Sequence, residues 1–400
     1  MKKKSLVYFQ SGGPSPVINC SLYGLIAEAL KHNDKIDGIY GARYGVEGLI
    51  DDNLVDLRKE DLEELELLKQ TPGAALGSTR KKLPAIGDPL FDKVIKTIEK
   101  HNIGYIFVNG GNDSMDTCLQ LSEFFKAKKM DVQVIGIPKT VDNDLYVTDH
   151  AIGYPSAARH VINMMKMAVV DAAAYKKGKV VLVEIMGRNA GWLTGCVDVL
   201  PEGERPDLIY VPEMEWSEEK FLKDLKKIYD KKGYAVCALS EGIPVQHHNH
   251  GIVDSFGHES LEGVCLTLAE SIHEKLGLGT RVMELSLPQR ADPILASDVD
   301  KQEAIQTSKF AVLKALEGET GMMVCIIRIT SKPYVIDYFL SPVKDIANAE
   351  KKIPQEWLKD NTRRSDEFRD YVEPLVQSET HVSYVDGVFK TAHLKLEKVD

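Results

Sequence analysis

The sequence predicts an α/β protein built on largely parallel sheets, and three observations carry that prediction. The run at residues 6–9 is continuously apolar, and 103–108 and 132–137 are mostly apolar rather than alternating, the pattern of strands buried on both faces. Each run stops at or shortly before a glycine or proline, and stretches with helical spacing separate the runs. At 400 residues the chain is long enough for two or three domains of roughly 100–200 residues each.

The elements follow in order. Leu6-Val7-Tyr8-Phe9 is the first strand and runs into a glycine turn; residues 16–30 then show helical spacing. Residues 103–108 form a second strand, broken by Gly110-Gly111, and residues 115–125 a helix with Asp113 or Ser114 as its N-cap. Residues 132–137 form a third strand, ending at Pro138. A second block opens near residues 150–156, with a helix over 156–175 and a strand over 179–185. Further strands are expected at 208–211, 235–239 and 322–329, and a helix over 260–276. The charged stretch 345–369 reads as a surface helix pair. His247, His248 and His250 read as a solvated loop rather than a metal site, because no further ligand spacing accompanies them.

Composition narrows the classes. With 50 Lys+Arg against 60 Asp+Glu the net charge is −10, which disfavours non-specific binding to nucleic acid or to an anionic membrane but leaves room for a local basic pocket. Apolar residues at 44 % and charged residues at 28 % exclude a disordered chain. No apolar run approaches the ~18 residues of a membrane span, and residues 5–9 are too short for a signal peptide's apolar region. The six cysteines are far apart with no paired spacing, as expected of reduced thiols in a cytoplasmic protein.

Three strand-to-helix junctions carry the chemistry. In Gln10-Ser11-Gly12-Gly13-Pro14-Ser15-Pro16, adjacent glycines precede a helix start whose N–H groups can face an anion. This is neither GxGxxG nor a Walker A loop, so those nucleotide folds lack support. Gly110-Gly111-Asn112-Asp113-Ser114 repeats the geometry, with a plain N-cap competing with a functional role for Asp113. Pro138-Lys139-Thr140-Val141-Asp142-Asn143-Asp144 sets two carboxylates at i and i+2 beyond a strand, beside a lysine and a threonine. Alone, such a pair is a turn. Next to two anion-type loops it supplies the parts of phosphoryl transfer: an anion cradle, a cation, and a base on the acceptor.

Taken together, GGNDS, PKTVDND and Met186-Gly187-Arg188-Asn189-Ala190-Gly191-Trp192 resemble the 6-phosphofructokinase family, from about Ser5 to about Pro293 and more loosely beyond. The resemblance implies two similar Rossmann-like α/β/α sandwich domains with mostly parallel sheets, facing each other across an active-site cleft. The donor domain would be 1–155 with about 290–320, and the sugar domain 156–289 with about 321–400. It also implies Mg²⁺-dependent transfer to the 1-hydroxyl of fructose 6-phosphate, with no nucleic-acid or membrane partner, in a homodimer or homotetramer.

Two positions decide the donor. Family members that use ATP carry glycine where this chain has Asp113 and Lys139, and the pair found here is the pattern of the pyrophosphate-dependent branch. A carboxylate at Asp113 would repel an ATP α-phosphate, and Lys139 could pair with the transferring phosphoryl group. Ser11-Gly12-Gly13-Pro14-Ser15-Pro16 also departs from the ATP users. By resemblance, Asp142 is the general base on the sugar hydroxyl, with Thr140 and Asp144 beside it. Gly12, Gly13, Arg80, Gly111, Asp113 and Lys139 contact the donor. Met186, Gly187, Arg188, Glu241 and Arg290 bind the sugar phosphate, Arg188 also serving the chemistry. Arg281 resembles the arginine that reaches the 6-phosphate from a neighbouring subunit.

Three departures stand out. Asn112 occupies the usual place of a magnesium-linked aspartate, so Asn112 and Asp113 are the expected metal residues. Lys179 replaces a second inter-subunit arginine. Leu287 replaces the His or Tyr three residues before Arg290. An ATP-dependent enzyme of the same fold is the alternative reading. A non-catalytic regulatory subunit is disfavoured by the presence of Asp142, Lys139, Arg188 and Arg290. A dinucleotide-binding oxidoreductase is excluded because Gly277-Leu278-Gly279 follows a helix rather than a strand.

Overall fold

A computed structural model describes residues 3–245, 263–347 and 349–399. The histidines at 247, 248 and 250 lie outside these described residues. The chain divides into two compact units. The first comprises Met1–Gly153, Arg290–Glu350 and Ser378–Asp400; the second comprises Tyr154–Gln289 and Lys351–Gln377.

Along the chain the main strands are β1 (Lys4–Gln10), β2 (Ile36–Ala42), β3 (Leu54–Asp56), β4 (Ile103–Gly110), β5 (Gln133–Pro138) and β6 (Val180–Ile185). They continue with β7 (Leu208–Tyr210), β8 (Ala235–Ser240), β9 (Thr280–Glu284), β10 (Met322–Ser331) and β11 (Tyr334–Pro342). The first unit holds a seven-stranded sheet in the order β11-β10-β5-β4-β1-β2-β3. Its interior pairs are parallel, and each edge, β11 and β3, is antiparallel to its neighbour. Side chains of β1 alternate between two cores: Leu6 and Tyr8 pack on one face, Val7 and Phe9 on the other. That two-sided burial is why the run is apolar throughout. On one face the helices Ile18–Ala29 and Asp298–Leu316 approach so closely that a Cβ on Gly24 would lie 2.4 Å from the Ile305 carbonyl oxygen.

The second unit holds a four-stranded, wholly parallel sheet in the order β7-β8-β6-β9. Both units are parallel α/β layers, as expected, but their sheets differ in size. The helix Glu218–Lys232 shows the local rules plainly: Ser217 caps its N-terminus, and Gly233, at φ 81°, closes it in the left-handed region.

Four expectations are corrected. Residues 322–329 form β10, but it pairs with β5 and β11 in the first sheet, because membership of a sheet is decided by long-range register that an apolar run does not encode. Consequently residues 321–350, and also 378–400, belong to the first unit rather than the second. The stretch 345–369 is no surface helix pair. Among the described residues between 346 and 365 the only helical element is the short turn Gln355–Trp357; the helix Asp366–Val372 follows, and Ile353, Arg364 and Phe368 are buried. Finally, the helix at the second glycine junction spans Asn112–Ala127 and its N-cap is Gly111. Asp113 and Ser114 are therefore inside the first turn. All six cysteines are buried free thiols. Among the described residues no helix is long and apolar enough to cross a membrane.

Candidate active site

In the first unit the three junctions lie at the ends of adjacent parallel strands: β1 leads into Gly12-Gly13, β4 into Gly111, and β5 into Lys139. Ligand loops of open α/β sheets sit at these carboxyl ends. The strand order β5-β4-β1 thus brings together segments far apart in sequence. Gly12 has φ +78°, a conformation that strongly favours glycine. Its N–H donates to the Thr79 carbonyl at 3.0 Å and its own carbonyl accepts from Ser78 Oγ at 2.6 Å. These bonds fasten the irregular 77–80 loop, with exposed Arg80, to the first glycine turn. Deeper support comes from two buried amides: Gln10 Nε2 donates to Asn19 Oδ1 at 2.8 Å, while Leu76 N–H donates to Gln10 Oε1 and Ala75 N–H to Asn19 Oδ1.

Lys139 is the centre of this group. It is buried, its Nζ donates to the Gly13 carbonyl at 2.5 Å, and it would lie 3.5 Å from a Cβ on Gly12. Burial pushes its ammonium down to about 8, with Arg290 and Arg80 adding to the fall and Asp142 and Asp144 opposing it. A guanidinium nitrogen of Arg290 would lie 3.1 Å from a Cβ on Gly13. Arg290, expected on the sugar, thus lies beside the first glycine junction, within the first unit.

Beyond Lys139 the loop turns tightly. Asp142 N–H donates to Thr140 Oγ1 at 3.2 Å, and Asn143, at φ 58°, accepts from Ala151 N–H at 2.9 Å. This shape presents Asp142 and Asp144 side by side. Burial of the Asp144 carboxyl, then the charge of Asp142, pushes Asp144 up to about 7. Asp113 pairs with Lys82 at 3.4 Å, so its carboxylate is engaged from the 77–82 side.

Two buried oxygens here lack a hydrogen-bond partner: Asn112 Oδ1 and Asp144 Oδ1. Asn112 Nδ2 donates to the Ala349 carbonyl at 2.8 Å, which orients the amide and leaves Oδ1 as its remaining acceptor. No group of three or more His, Cys, Asp or Glu side chains among the described residues could enclose a metal. Such a sparse oxygen set still fits Mg²⁺, which keeps several waters and completes its shell with one or two protein oxygens and substrate phosphates.

In the second unit the loops following β6 and β8 meet. Gly187, at φ +136°, would place a Cβ 2.5 Å from the Ala190 carbonyl oxygen. Its N–H donates to Glu241 Oε1 at 3.2 Å, and its carbonyl accepts from Ser240 Oγ at 2.6 Å. Met186 N–H donates to Gln289 Oε1 at 3.3 Å. A pocket lined by Glu184, Met186, Glu241, Glu284, Ser286 and Gln289 opens here. Arg188 follows at the rim, half-buried. Lys179 and Arg281 lie elsewhere: they sit at the amino ends of β6 and β9, about five residues and so roughly 17 Å of strand from Met186. Both are exposed.

The motifs pointed to most of these residues. Gln289 had a signal, its place beside Arg290. Ser78 likewise stood two residues before Arg80, whereas Lys82 had no signal, because its partner Asp113 is distant in sequence.

A family model described as Phosphofructokinase matches residues 5–313. The pyrophosphate–fructose 6-phosphate 1-phosphotransferase of Halomonas elongata is 34 % identical, over 100 % of this chain and 98 % of its own. A sulfofructose kinase of Alkalicoccus urumqiensis is 32 % identical, over 88 % of this chain and 91 % of its own. The crystal structure of a pyrophosphate-dependent phosphofructokinase from Marinobacter aquaeolei superposes with a TM-score of 0.90 at 34 % identity, covering 99 % of this chain and 97 % of that one. With both its glycine junctions and its lysine–aspartate loop inside the matched span, the chain belongs to the phosphofructokinase family.

Proposed function

We propose that this chain moves a phosphoryl group reversibly between pyrophosphate and the 1-hydroxyl of fructose 6-phosphate, giving fructose 1,6-bisphosphate and phosphate. One observation carries the donor assignment: the buried ammonium of Lys139, held against Gly13 where the glycine loops converge. An enclosed cation there suits a compact polyanion, because its attraction is strongest where water is excluded. Asp113, in the first turn of the adjoining helix, adds a negative charge that disfavours a longer nucleotide donor.

Each residue then has a task. The backbone at Gly12, Gly13 and Gly111 and the side chain of Arg80 hold pyrophosphate, while Arg290, beside Gly13, binds the sugar phosphate. Lys139 neutralises charge on the transferring group. Asp142 takes the proton of the sugar hydroxyl, and Asp144, with a pKa close to neutrality, modulates the charge beside it. Met186, Gly187, Arg188 and Glu241 hold fructose 6-phosphate. Asn112 and Asp113 would hold Mg²⁺, which when bound supplies charge neutralisation on the phosphate oxygens. The buried free thiols suit a cytoplasmic enzyme. Exposed Arg281 and Lys179 suit a homodimer or homotetramer in which they reach a neighbouring subunit's sugar phosphate.

A coupled assay tests the reading. Pyrophosphate with fructose 6-phosphate and Mg²⁺ should support turnover, and ATP should not. Because one relative is named for sulfofructose, that acceptor is run in parallel. Activity with sulfofructose and none with fructose 6-phosphate would overturn the acceptor assignment.

A further inference from the structure

We infer that Glu213, together with the segment 351–377, holds the 186–192 loop in its sugar-binding shape, so that Glu213 is a positioning residue for fructose 6-phosphate. The inference rests on the function proposed above.

Glu213 lies 22 positions from Gly191 in sequence, yet both its carboxylate oxygens accept the Gly191 N–H, at 3.0 and 3.1 Å. Oε1 also accepts the Ile353 N–H at 3.1 Å, and the Glu213 carbonyl accepts from Gln355 Nε2 at 3.3 Å. A single side chain thus ties the motif loop to the segment that returns to the second unit. The next residue repeats the link: Trp192 Nε1 donates to the Lys351 carbonyl at 3.0 Å. Its ring is packed by Trp357, Phe368 and Tyr371, with centroids 6.2, 6.1 and 5.3 Å away, and Lys351 Nζ lies 5.0 Å from the ring centroid. The middle of the segment is fastened by buried Arg364. Its guanidinium donates to the Ile209 carbonyl at 3.0 Å, and its N–H donates to Asp198 Oδ2 at 3.1 Å.

The two glycines of the loop contribute no side chain to its shape. Gly187 needs its positive φ, and Gly191 would place a Cβ 2.3 Å from Val211 Cβ and 2.9 Å from Glu213 Oε2. Its geometry is imposed by these outside contacts. A carboxylate on two backbone N–H groups makes strong, charge-assisted bonds, and its removal leaves two buried donors unsatisfied. Arg188 is three residues from Gly191, so a shift there misplaces the group proposed to hold the sugar phosphate.

The test is a comparison of both substrates in Glu213→Ala and Glu213→Gln. Glu213→Ala should raise the fructose 6-phosphate KM roughly tenfold to a hundredfold, the scale of a misplacement of about 1 Å, with the pyrophosphate KM unchanged. Glu213→Gln keeps one acceptor oxygen and should recover part of the loss. An equal rise in both KM values, or a fall in kcat with both KM values unchanged, would overturn the inference. Calorimetric titration of fructose 6-phosphate without donor provides the second readout. Weaker binding in Glu213→Ala supports the inference, and unchanged binding overturns it even where turnover falls. Should Glu213→Ala fail to fold, Glu213→Gln carries both comparisons. Turnover of the unmodified enzyme with ATP alone would defeat the donor assignment and leave this binding comparison intact.

Discussion

Lys139 is charged at neutral pH inside a site that disfavours its charge. Its pKa in the folded protein, pushed down to about 8 by burial first, lies below that of a free lysine, so the protonated form destabilises the empty fold and stability rises as pH climbs from about 8 towards 10.5. Replacing the cation by Lys139→Met should therefore raise the melting temperature at pH 7 while lowering pyrophosphate turnover roughly a hundredfold or more. Calorimetric melting and the coupled assay check both halves. Because the ammonium is the form that pairs with phosphate, kcat/KM for pyrophosphate should decline as pH rises through about 8. Lys139→Arg should move that decline upward, and a limb that stays in place would remove Lys139 as its source. Asp113→Gly should release ATP turnover, measured with ATP as sole donor; continued exclusion of ATP would take that task away from Asp113. At this scale the sequence was informative. The glycines, Lys139 and the Asp142–Asp144 pair were all legible in their motifs. The cap expected at Asp113 or Ser114 falls on Gly111, because an acid in the first turn resembles a cap two positions earlier. Glu213 was invisible because its partners, Gly191 and Ile353, are distant in sequence.

Among the elements, the loop between β5 and the helix Tyr154–Ala172 is anchored at its far end by a buried histidine. His150 donates from both ring nitrogens, Nδ1 to Asp149 at 2.9 Å and Nε2 to Glu303 at 2.6 Å. Tyr334 OH donates to Glu303 at 2.7 Å and Arg328 donates to Asp149 at 2.9 Å. Burial opposes the imidazolium, but Glu303 and Asp149 outweigh it and push the pKa up to about 9. The folded-state value exceeds that of free histidine. The stabilisation is therefore complete below about pH 6.5 and lost as pH rises through about 9. From that shift its size is on the order of 3 kcal/mol. His150→Gln should lower the melting temperature at pH 6 and flatten its decline between pH 7 and 10. A variant with the unmodified protein's pH profile would show that His150 is not the titrating group. The strand before this loop and the helix after it were legible from an apolar run and helical spacing, whereas the helix Asp298–Leu316 that carries Glu303 was not. The segment 345–369 was not, because its charges suggest a surface while Arg364, though charged, is buried with its guanidinium spent on backbone carbonyls.

For the molecule as a whole, a net charge of −10 is compatible with two anionic substrates because the sum does not show where a few cations stand. Arg290 and Lys139 stand together in the first unit although 151 positions separate them in sequence (290 − 139). The division into two units was legible near residue 153, where the second block begins. The return of residues 321–350 to the first sheet was not, since only the pairing of β10 with β5 reveals it. Lys179 and Arg281 lie at the strand ends opposite the sugar loop, so within one chain they have no route to it. Arg281→Ala should raise the fructose 6-phosphate KM roughly tenfold in an enzyme that elutes as a dimer or larger on gel filtration. A monomer with full activity would contradict the shared site. The central claim is the phosphate donor, and the most direct measurement is the initial rate of fructose 1,6-bisphosphate formation with pyrophosphate against ATP. Turnover with pyrophosphate and background with ATP is the expected result. Turnover with ATP and background with pyrophosphate would contradict it.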